Sequence, residues 1–297
     1  MNLSRLAPAK IHLFLHVGTV GADGYHPVSS LMAFADVGDR LTIGPADYPA
    51  FEVDGPFAAG LGDGLNLVEQ AWGKLSEKAR VPMPPFRLIL TKQLPVAAGL
   101  GGGSSDAGAA LRLIRDAHHL PVDDLALEAI AGELGADGPA CFAGEPVLGE
   151  GRGDILSRAP AMPAIDAVLV NPGVPCSTGA VYRAYDAFLE RGGGGGADMP
   201  RLPSAFEDAA DMAAILSFCR NDLEAPALTV APEIEVVLET LRSAPETLFA
   251  RMSGSGATCF ALCASTYDAE ALAEQVAVMS PKWWVQRCRI GGPWPDI

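Results

Sequence analysis

Apolar and polar positions change their spacing several times along the chain, and each change marks an element. Residues 10–17 alternate loosely, which predicts a strand. A turn-rich stretch with Gly18, Gly21, Gly24 and Pro27 follows. Ser29 to Ile43 then resumes apolar character and ends in Leu-Thr-Ile, a second strand. Pro45 to Gly64 is rich in Gly and Pro and reads as loop or short edge strands. From Asn66 to Lys78, Leu67, Ala71, Trp72 and Leu75 recur at helical spacing. Pro85 to Thr91 is an apolar run with strand character, and an Ala-rich helix is predicted over Ser104–His118. Asp123 to Leu134 predicts another helix, stopped by Gly135, and Gly135-Ala-Asp-Gly-Pro139 a tight turn.

Gly149 to Pro163 is punctuated by Gly, Arg and Pro and marks a domain boundary. Beyond it, Ala164–Val170 predicts a strand and Thr178–Glu190 a helix. The five glycines Gly192 to Gly196 read as a flexible, disordered insert without functional use. Helices follow over Glu207–Arg220 and Pro232–Arg242. Leu248–Met252 and Thr258–Cys263 read as paired strands around Ser253-Gly-Ser-Gly256. A helix over Asp268–Met279 and a strand over Trp283–Ile290 complete the chain. The mixture, with antiparallel-looking β segments, predicts an α+β layer fold rather than a doubly wound sheet.

The chemistry concentrates in Pro95–Leu111, PVAAGLGGGSSDAGAAL, where a strand, a glycine loop and a helix start follow one another. Glycine lets the backbone approach a ligand closely. The first turn of a helix offers unpaired N–H groups and the positive end of its dipole. Together they form an anion site suited to phosphate. Ser104, Ser105 or Asp106 are candidates to cap that helix. The loop is not a Walker A motif, because the one Gly-Lys pair, Gly73-Lys74, is followed by Leu75. G-x-G-x-x-G also fails: the sixth position is Ser104 counted from Gly99 and Asp106 counted from Gly101. Without G-x-S-x-G there is no nucleophile elbow, which disfavours a serine hydrolase.

Composition narrows the partners. The 297 residues suit one large or two ordinary domains, and 49% hydrophobic content can fill substantial cores. A net charge of -15 opposes a nucleic-acid or anionic-membrane partner, both of which need a basic footprint. A nucleotide substrate remains compatible, since a few local donors outweigh a diffuse negative surface. The six cysteines form no C-x-x-C and are expected as reduced thiols. Neither a signal peptide nor an apolar span is evident, so a cytoplasmic protein, monomeric or weakly dimeric, is expected.

The order P-x-x-x-G-L-G-G-G-S-S-x-A resembles the phosphate loop of the GHMP kinases. Two more stretches carry the likeness: Ala7-Pro-Ala-Lys-Ile-His12 with Asp23-Gly-Tyr-His26, and Arg251-Met-Ser-Gly-Ser-Gly-Ala-Thr258. All three occur in order across nearly the whole chain. The resemblance implies a ribosomal-protein-S5-like N-terminal domain over residues 1–157 and a ferredoxin-like-type C-terminal domain over 158–297. It implies ATP as donor, with Mg²⁺. The doubled serine and D-G-Y-H together imply 4-diphosphocytidyl-2-C-methyl-D-erythritol as the acceptor, phosphorylated on its 2-hydroxyl, a step of the methylerythritol phosphate route. Mevalonate or homoserine as acceptor, and nucleotide binding without turnover, stay open.

The same resemblance assigns roles residue by residue. ATP contacts fall on Asn66 and Lys92 and on the loop residues Pro95, Val96, Ala97, Ala98, Gly99, Leu100, Gly101, Gly102, Gly103, Ser104 and Ser105. Ser105 is also the candidate toward the metal. Asp137 is the implied base and Lys10 its partner, where a cation keeps a carboxylate ionised. His12, Tyr25, His26 and Tyr182 are implied acceptor contacts, with Tyr25 and Tyr182 sandwiching a pyrimidine and His26 bonding its edge. Read as residues alone, Asp137 is first a capping or Asx-turn aspartate, Asn66 a helix cap and Lys92 a solvated strand end. His12 departs from the Asn more usual there and is expected to bond or pack rather than act as base. Gly138 stands where a larger apolar residue is common, which is expected to loosen the turn. Ser253–Gly256 is either a plain hairpin turn or a second small-residue turn packed close to the phosphate loop or the acceptor.

Overall fold

The structure, a computed structural model, describes residues 2–62 and 64–294. Its frame is a pair of long strands, β1 (Leu3–Val17) and β2 (Val28–Pro45), antiparallel from Leu3 opposite Ile43 to Val17 opposite Val28. Two register shifts interrupt β1, between Pro8 and Lys10 and between His12 and Phe14. Such irregularities re-aim side chains, and they bracket Lys10 and His12, which share a face by the two-residue period of a strand. They also explain why the alternation looked loose and why the strand begins seven residues earlier than residue 10.

The other edge of β2 is used in sections. β5 (Val147–Glu150) pairs with it at Ser30–Met32 and β10 (Trp284–Gly291) at Phe34 and Ala35. β4 (Phe86–Thr91) pairs at Arg40–Pro45. β3 (Ala50–Asp54) runs parallel to β4, and β6 (Ile155–Arg158) closes a hairpin with β5. β7 (Ile165–Asn171), β9 (Cys259–Cys263) and β8 (Thr247–Met252) continue the sheet beyond β10, giving the order β3-β4-β2-β10-β7-β9-β8.

Helices α1 (Leu67–Ala79), α2 (Gly102–His118) and α3 (Asp124–Leu134) pack on the first part of the sheet. Their core includes Val68, Leu75, Leu88, Leu111, Ile114 and Leu127, all buried. Such burial stabilises by about 1.5–3 kcal/mol per large aliphatic side chain. Asn66 caps α1 in a capping box with Glu69, as its cap reading predicts. α4 (Gly138–Ala143) is a short helix where only a turn was expected.

In the second half, α5 (Thr178–Glu190), α6 (Ala209–Leu216), α7 (Glu224–Val230), α8 (Glu233–Ser243) and α9 (Thr266–Met279) pack on β7–β10. A further apolar core joins the halves, with Ile11, Leu13 and Leu31 against Met212, Phe260 and Leu262. Arg251 crosses the same seam: its buried guanidinium donates to the carbonyls of Leu13 (3.0 Å), Leu216 (3.0 Å) and Cys219 (2.5 Å).

The glycine run departs from expectation. The Gly193 N–H donates to the Phe188 carbonyl, and the Gly196 carbonyl accepts from Arg220. A Cβ on Gly195 would stand 2.0 Å from the Tyr185 hydroxyl. The segment is docked because it has no side chains, not left as a free insert. The six cysteines are free and buried, as expected. Among the described residues no helix is long and apolar enough to cross a membrane.

Candidate active site

The site is a cleft of about 590 Å³ whose wall includes Pro95 to Ser104 without a gap. The loop enters α2 through left-handed backbone at Gly99 (φ +76) and Gly101 (φ +62). Gly101, not a serine, is the N-cap, and no side chain caps the helix. Ser104, Ser105 and Asp106 lie inside the helix, which starts two residues earlier than predicted. The first-turn N–H groups are thereby left for an anion in the cleft.

Three chain segments hold the loop. The Lys10 N–H donates to the Leu100 carbonyl (2.8 Å) and the Thr258 N–H to the Ala98 carbonyl (3.1 Å). The Ser253 hydroxyl donates to the Gly99 carbonyl (3.0 Å) and accepts from the His12 N–H (3.1 Å). A Cβ on Gly99 would lie 2.4 Å from the Ser253 carbonyl oxygen, so only glycine fits. The Ser253–Gly256 turn is thus a support of the glycine loop. It is held in turn by Asn221, which donates to the Met252 and Gly254 carbonyls.

Beside Gly101, Lys10 and Asp137 form an ion pair. The Lys10 side chain is 1% exposed while that of Asp137 is 44% exposed, so the carboxylate faces the cleft. Asp137 stands at the N-cap position of α4 but makes no cap bond, which sets aside its reading as a capping aspartate. Burial raises its pKa, but the Lys10 charge outweighs that and holds it below the ordinary carboxylate range. Gly138 does not loosen the turn. A Cβ there would lie 1.9 Å from the Ala131 carbonyl, so glycine lets α4 sit tightly on α3.

His12 lines the same wall. Its Nδ1 lies 2.8 Å from the Ser30 hydroxyl, which donates to the Phe14 carbonyl (2.6 Å). Ser30 therefore accepts from Nδ1–H, leaving Nε2 as the ring's acceptor. Burial, then the Lys10 charge, lower the ring to about 3, so it stays neutral.

Lys92 is not a solvated strand end. It is buried with Asp39, which it pairs with closely, and Asp106 (2.7 Å). Asp39 also accepts from the Gln93 and Leu94 N–H groups. Burial lowers Lys92, but Asp106 and Asp39 carry it above its ordinary value. Asp106 is raised, chiefly by burial, and its Oδ1 has no partner. Asp106 lines the cleft; Ser105 is fully buried and does not, although its hydroxyl is also unpartnered. Among the described residues no cluster of three or more His, Cys, Asp or Glu could hold a metal unaided.

Tyr182 also lines the cleft, and burial followed by the Asp137 charge raises it to about 12. The ring lying on it is His26, with centroids 4.9 Å apart, and the His26 Nε2 is 2.8 Å from Asp186. Tyr25 is 53% exposed and, like His26, is not in the cleft wall. The two-tyrosine sandwich is therefore not formed here. Motif reasoning passed over Asp39 and the cleft residues Ser30 and Arg152, and took Asp106, directly after the doubled serine, only as a cap candidate.

Residues 66–145 match the sequence model of the GHMP kinases N terminal domain and 204–279 that of the GHMP kinases C terminal. The chain belongs to the GHMP kinases. Among these kinases it is 57% identical to the 4-diphosphocytidyl-2-C-methyl-D-erythritol kinase of Caulobacter vibrioides (strain NA1000 / CB15N), over 98% of this chain and 100% of that protein. It is 47% identical to the protein of the same name from Hyphomonas neptunium, over 98% and 97%. A crystal structure of 4-(cytidine 5'-diphospho)-2C-methyl-D-erythritol kinase superposes with a TM-score of 0.78 at 32% identity, covering 98% of this chain and 100% of that one. The mevalonate kinase of L. major, at 16% identity and a TM-score of 0.67, shares the fold. The two-domain α+β GHMP kinase fold and kinase activity follow.

Proposed function

We propose that this GHMP kinase transfers the γ-phosphoryl group of ATP to the 2-hydroxyl of 4-diphosphocytidyl-2-C-methyl-D-erythritol, giving the 2-phosphate and ADP. The observation that carries this reading is the cleft-facing Asp137 carboxylate, held by buried Lys10 beside Gly101, in a chain 57% identical to kinases named for that acceptor. The hydroxyl oxygen attacks the γ-phosphorus as the bond to the bridging oxygen breaks, and the electron pair leaves with ADP. Asp137 orients the hydroxyl and accepts its proton. A carboxylate held below its usual pKa is a modest base. A loose transition state asks mainly for positioning and charge stabilisation, with little proton abstraction. The loop N–H groups hold the phosphates. Neutral His12 offers Nε2 as an acceptor to a polyol hydroxyl.

Mg²⁺ accompanies ATP in this reading and would neutralise phosphate charge. It is commonly bound through one or two carboxylates plus the phosphates. The unpartnered Asp106 Oδ1 in the cleft wall fits that need, with buried Ser105 next to it in sequence. Asn66 and the wall from Pro95 to Ser104 enclose the nucleotide, while Lys92 acts through Asp106. Residues 1–157 and 158–297 are the two domains of this reading, and the protein works in the cytoplasm as a monomer or weak homodimer.

Coupled ADP release with Mg-ATP tests the acceptor. Turnover is expected with the cytidine compound and not with mevalonate or homoserine. Turnover with mevalonate alone, or ATP binding without turnover on any of the three, would overturn the reading.

A further inference from the structure

Three cationic side chains line the cleft among the described residues: Lys10, Lys92 and Arg152. The first is committed to Asp137 and the second to Asp39 and Asp106. Arg152 is held differently. Its guanidinium carbon lies 3.9 Å from the centre of the Tyr25 ring, and its one carboxylate contact, Asp23, is long at 3.6 Å. The side chain is 47% exposed, so its remaining donors face the cleft or solvent.

The backbone beneath Arg152 is fixed. It sits at the tip of the β5–β6 hairpin between Gly151 and Gly153, both at positive φ. The Gly151 carbonyl accepts from the Val28 N–H (2.7 Å), which ties the tip to the start of β2, two residues after His26. The Arg152 N–H donates to Asp154 (3.0 Å). The hairpin thus delivers to the cleft wall, which Tyr182 also lines, a guanidinium with no close carboxylate partner, stacked on Tyr25 outside that wall. Opposite it in chemistry is an acceptor with a diphosphate, entering a protein of net charge -15. A planar, five-donor guanidinium suits the paired oxygens of a diphosphate.

We propose that Arg152 is a specificity-determining residue that binds the diphosphate of a pyrimidine-nucleoside-diphosphate acceptor, leaving the Tyr25 ring or bridging from it when the acceptor enters. This rests on the acceptor reading above and extends it to a residue outside the three sequence motifs. The cation–π contact keeps the guanidinium preoriented and partly desolvated, without the strong carboxylate pair that would compete with the ligand.

The test is calorimetric titration of cytidine 5′-diphosphate and of cytidine into the protein, with the phosphate loop filled by ADP. Wild type is expected to bind the diphosphate at least tenfold more tightly than the nucleoside. Arg152→Ala is expected to abolish that preference while leaving cytidine binding within about twofold, and Arg152→Lys to restore part of it. In turnover, Arg152→Ala is expected to raise the acceptor KM about tenfold or more, with the ATP KM and kcat little changed. Equal weakening of both ligands would mean that Arg152 only props Tyr25, and would overturn the proposal while sparing the acceptor reading. Wild type that binds neither ligand would overturn both.

Discussion

Two buried lysines stand in the same cleft, and their settings differ in a way that separates chemistry from scaffolding. Lys10 has one carboxylate, Asp137, nearly half exposed to the cleft. Lys92 has two, Asp39 and Asp106, both enclosed. In the first pair charge is balanced and the acid is free to meet a ligand. In the second there is one carboxylate too many, and Asp39 spends its remaining oxygen on the backbone N–H groups of Gln93 and Leu94. The pair is arranged to act on something that enters; in the triad Asp39 and Lys92 fix the strand that leads into the glycine loop, and Asp106 alone keeps an unpartnered oxygen at the cleft wall. Burial alone would have ranked the triad above the pair as an active site. The exposure of one partner is what distinguishes them.

That contrast breaks first at Asp137. Asp137→Ala is expected to lower kcat by about 10³-fold, within the range lost with a general base, while the melting temperature changes by no more than a few degrees. ADP release and thermal melts on the same sample check both. Comparable losses of stability and activity would place Asp137 with the scaffold.

Asp39→Ala should show the opposite balance. Removing one member of a buried charge cluster typically costs about 3–5 kcal/mol, and here it also strands two N–H groups. A fall in the denaturation midpoint, with kcat of the folded fraction within about tenfold of wild type, is the expected result from urea titration. A stable but inactive protein would move Asp39 into the chemistry.

The smallest effect belongs to His12 and is seen only with pH. Its folded pKa of about 3 lies below the unfolded 6.5. The folded state therefore takes up the proton less readily, and stability contributed by neutral His12 is present above pH 6.5 and lost as pH falls toward 3. At pH 5 the loss is about 2 kcal/mol. His12→Asn is expected to lose less stability than wild type between pH 7 and pH 5, measured by melts at both. An identical pH dependence would mean that His12 is not held neutral.

Much of the site was legible because its parts are local. The glycine loop, Lys10 and Asp137 each lie in a short run whose residue order carries the likeness. The partners of Lys92 were not, since Asp39 lies 53 residues away inside an apolar strand. Arg152 was hidden because an arginine in a glycine turn reads as any exposed charge. Among the elements, β1 was shortened in reading by Pro8 and the register shifts. α4 was missed because six residues opening with Gly-Pro look like a turn, and α7 because Pro226 falls within its seven. The glycine run misled in the other direction: absence of side chains reads as freedom but here permits contact with Tyr185.

One consequence of the fold concerns temperature. The β2–β10 junction consists of two residue pairs, Ala35 with Ile290 and Phe34 with Gly291, and the rest of the seam combines apolar packing with hydrogen bonds such as those of Arg251 and Ser253. Apolar association weakens on cooling. Cold therefore loosens the apolar share of the join, while its hydrogen bonds keep the back of the cleft in register.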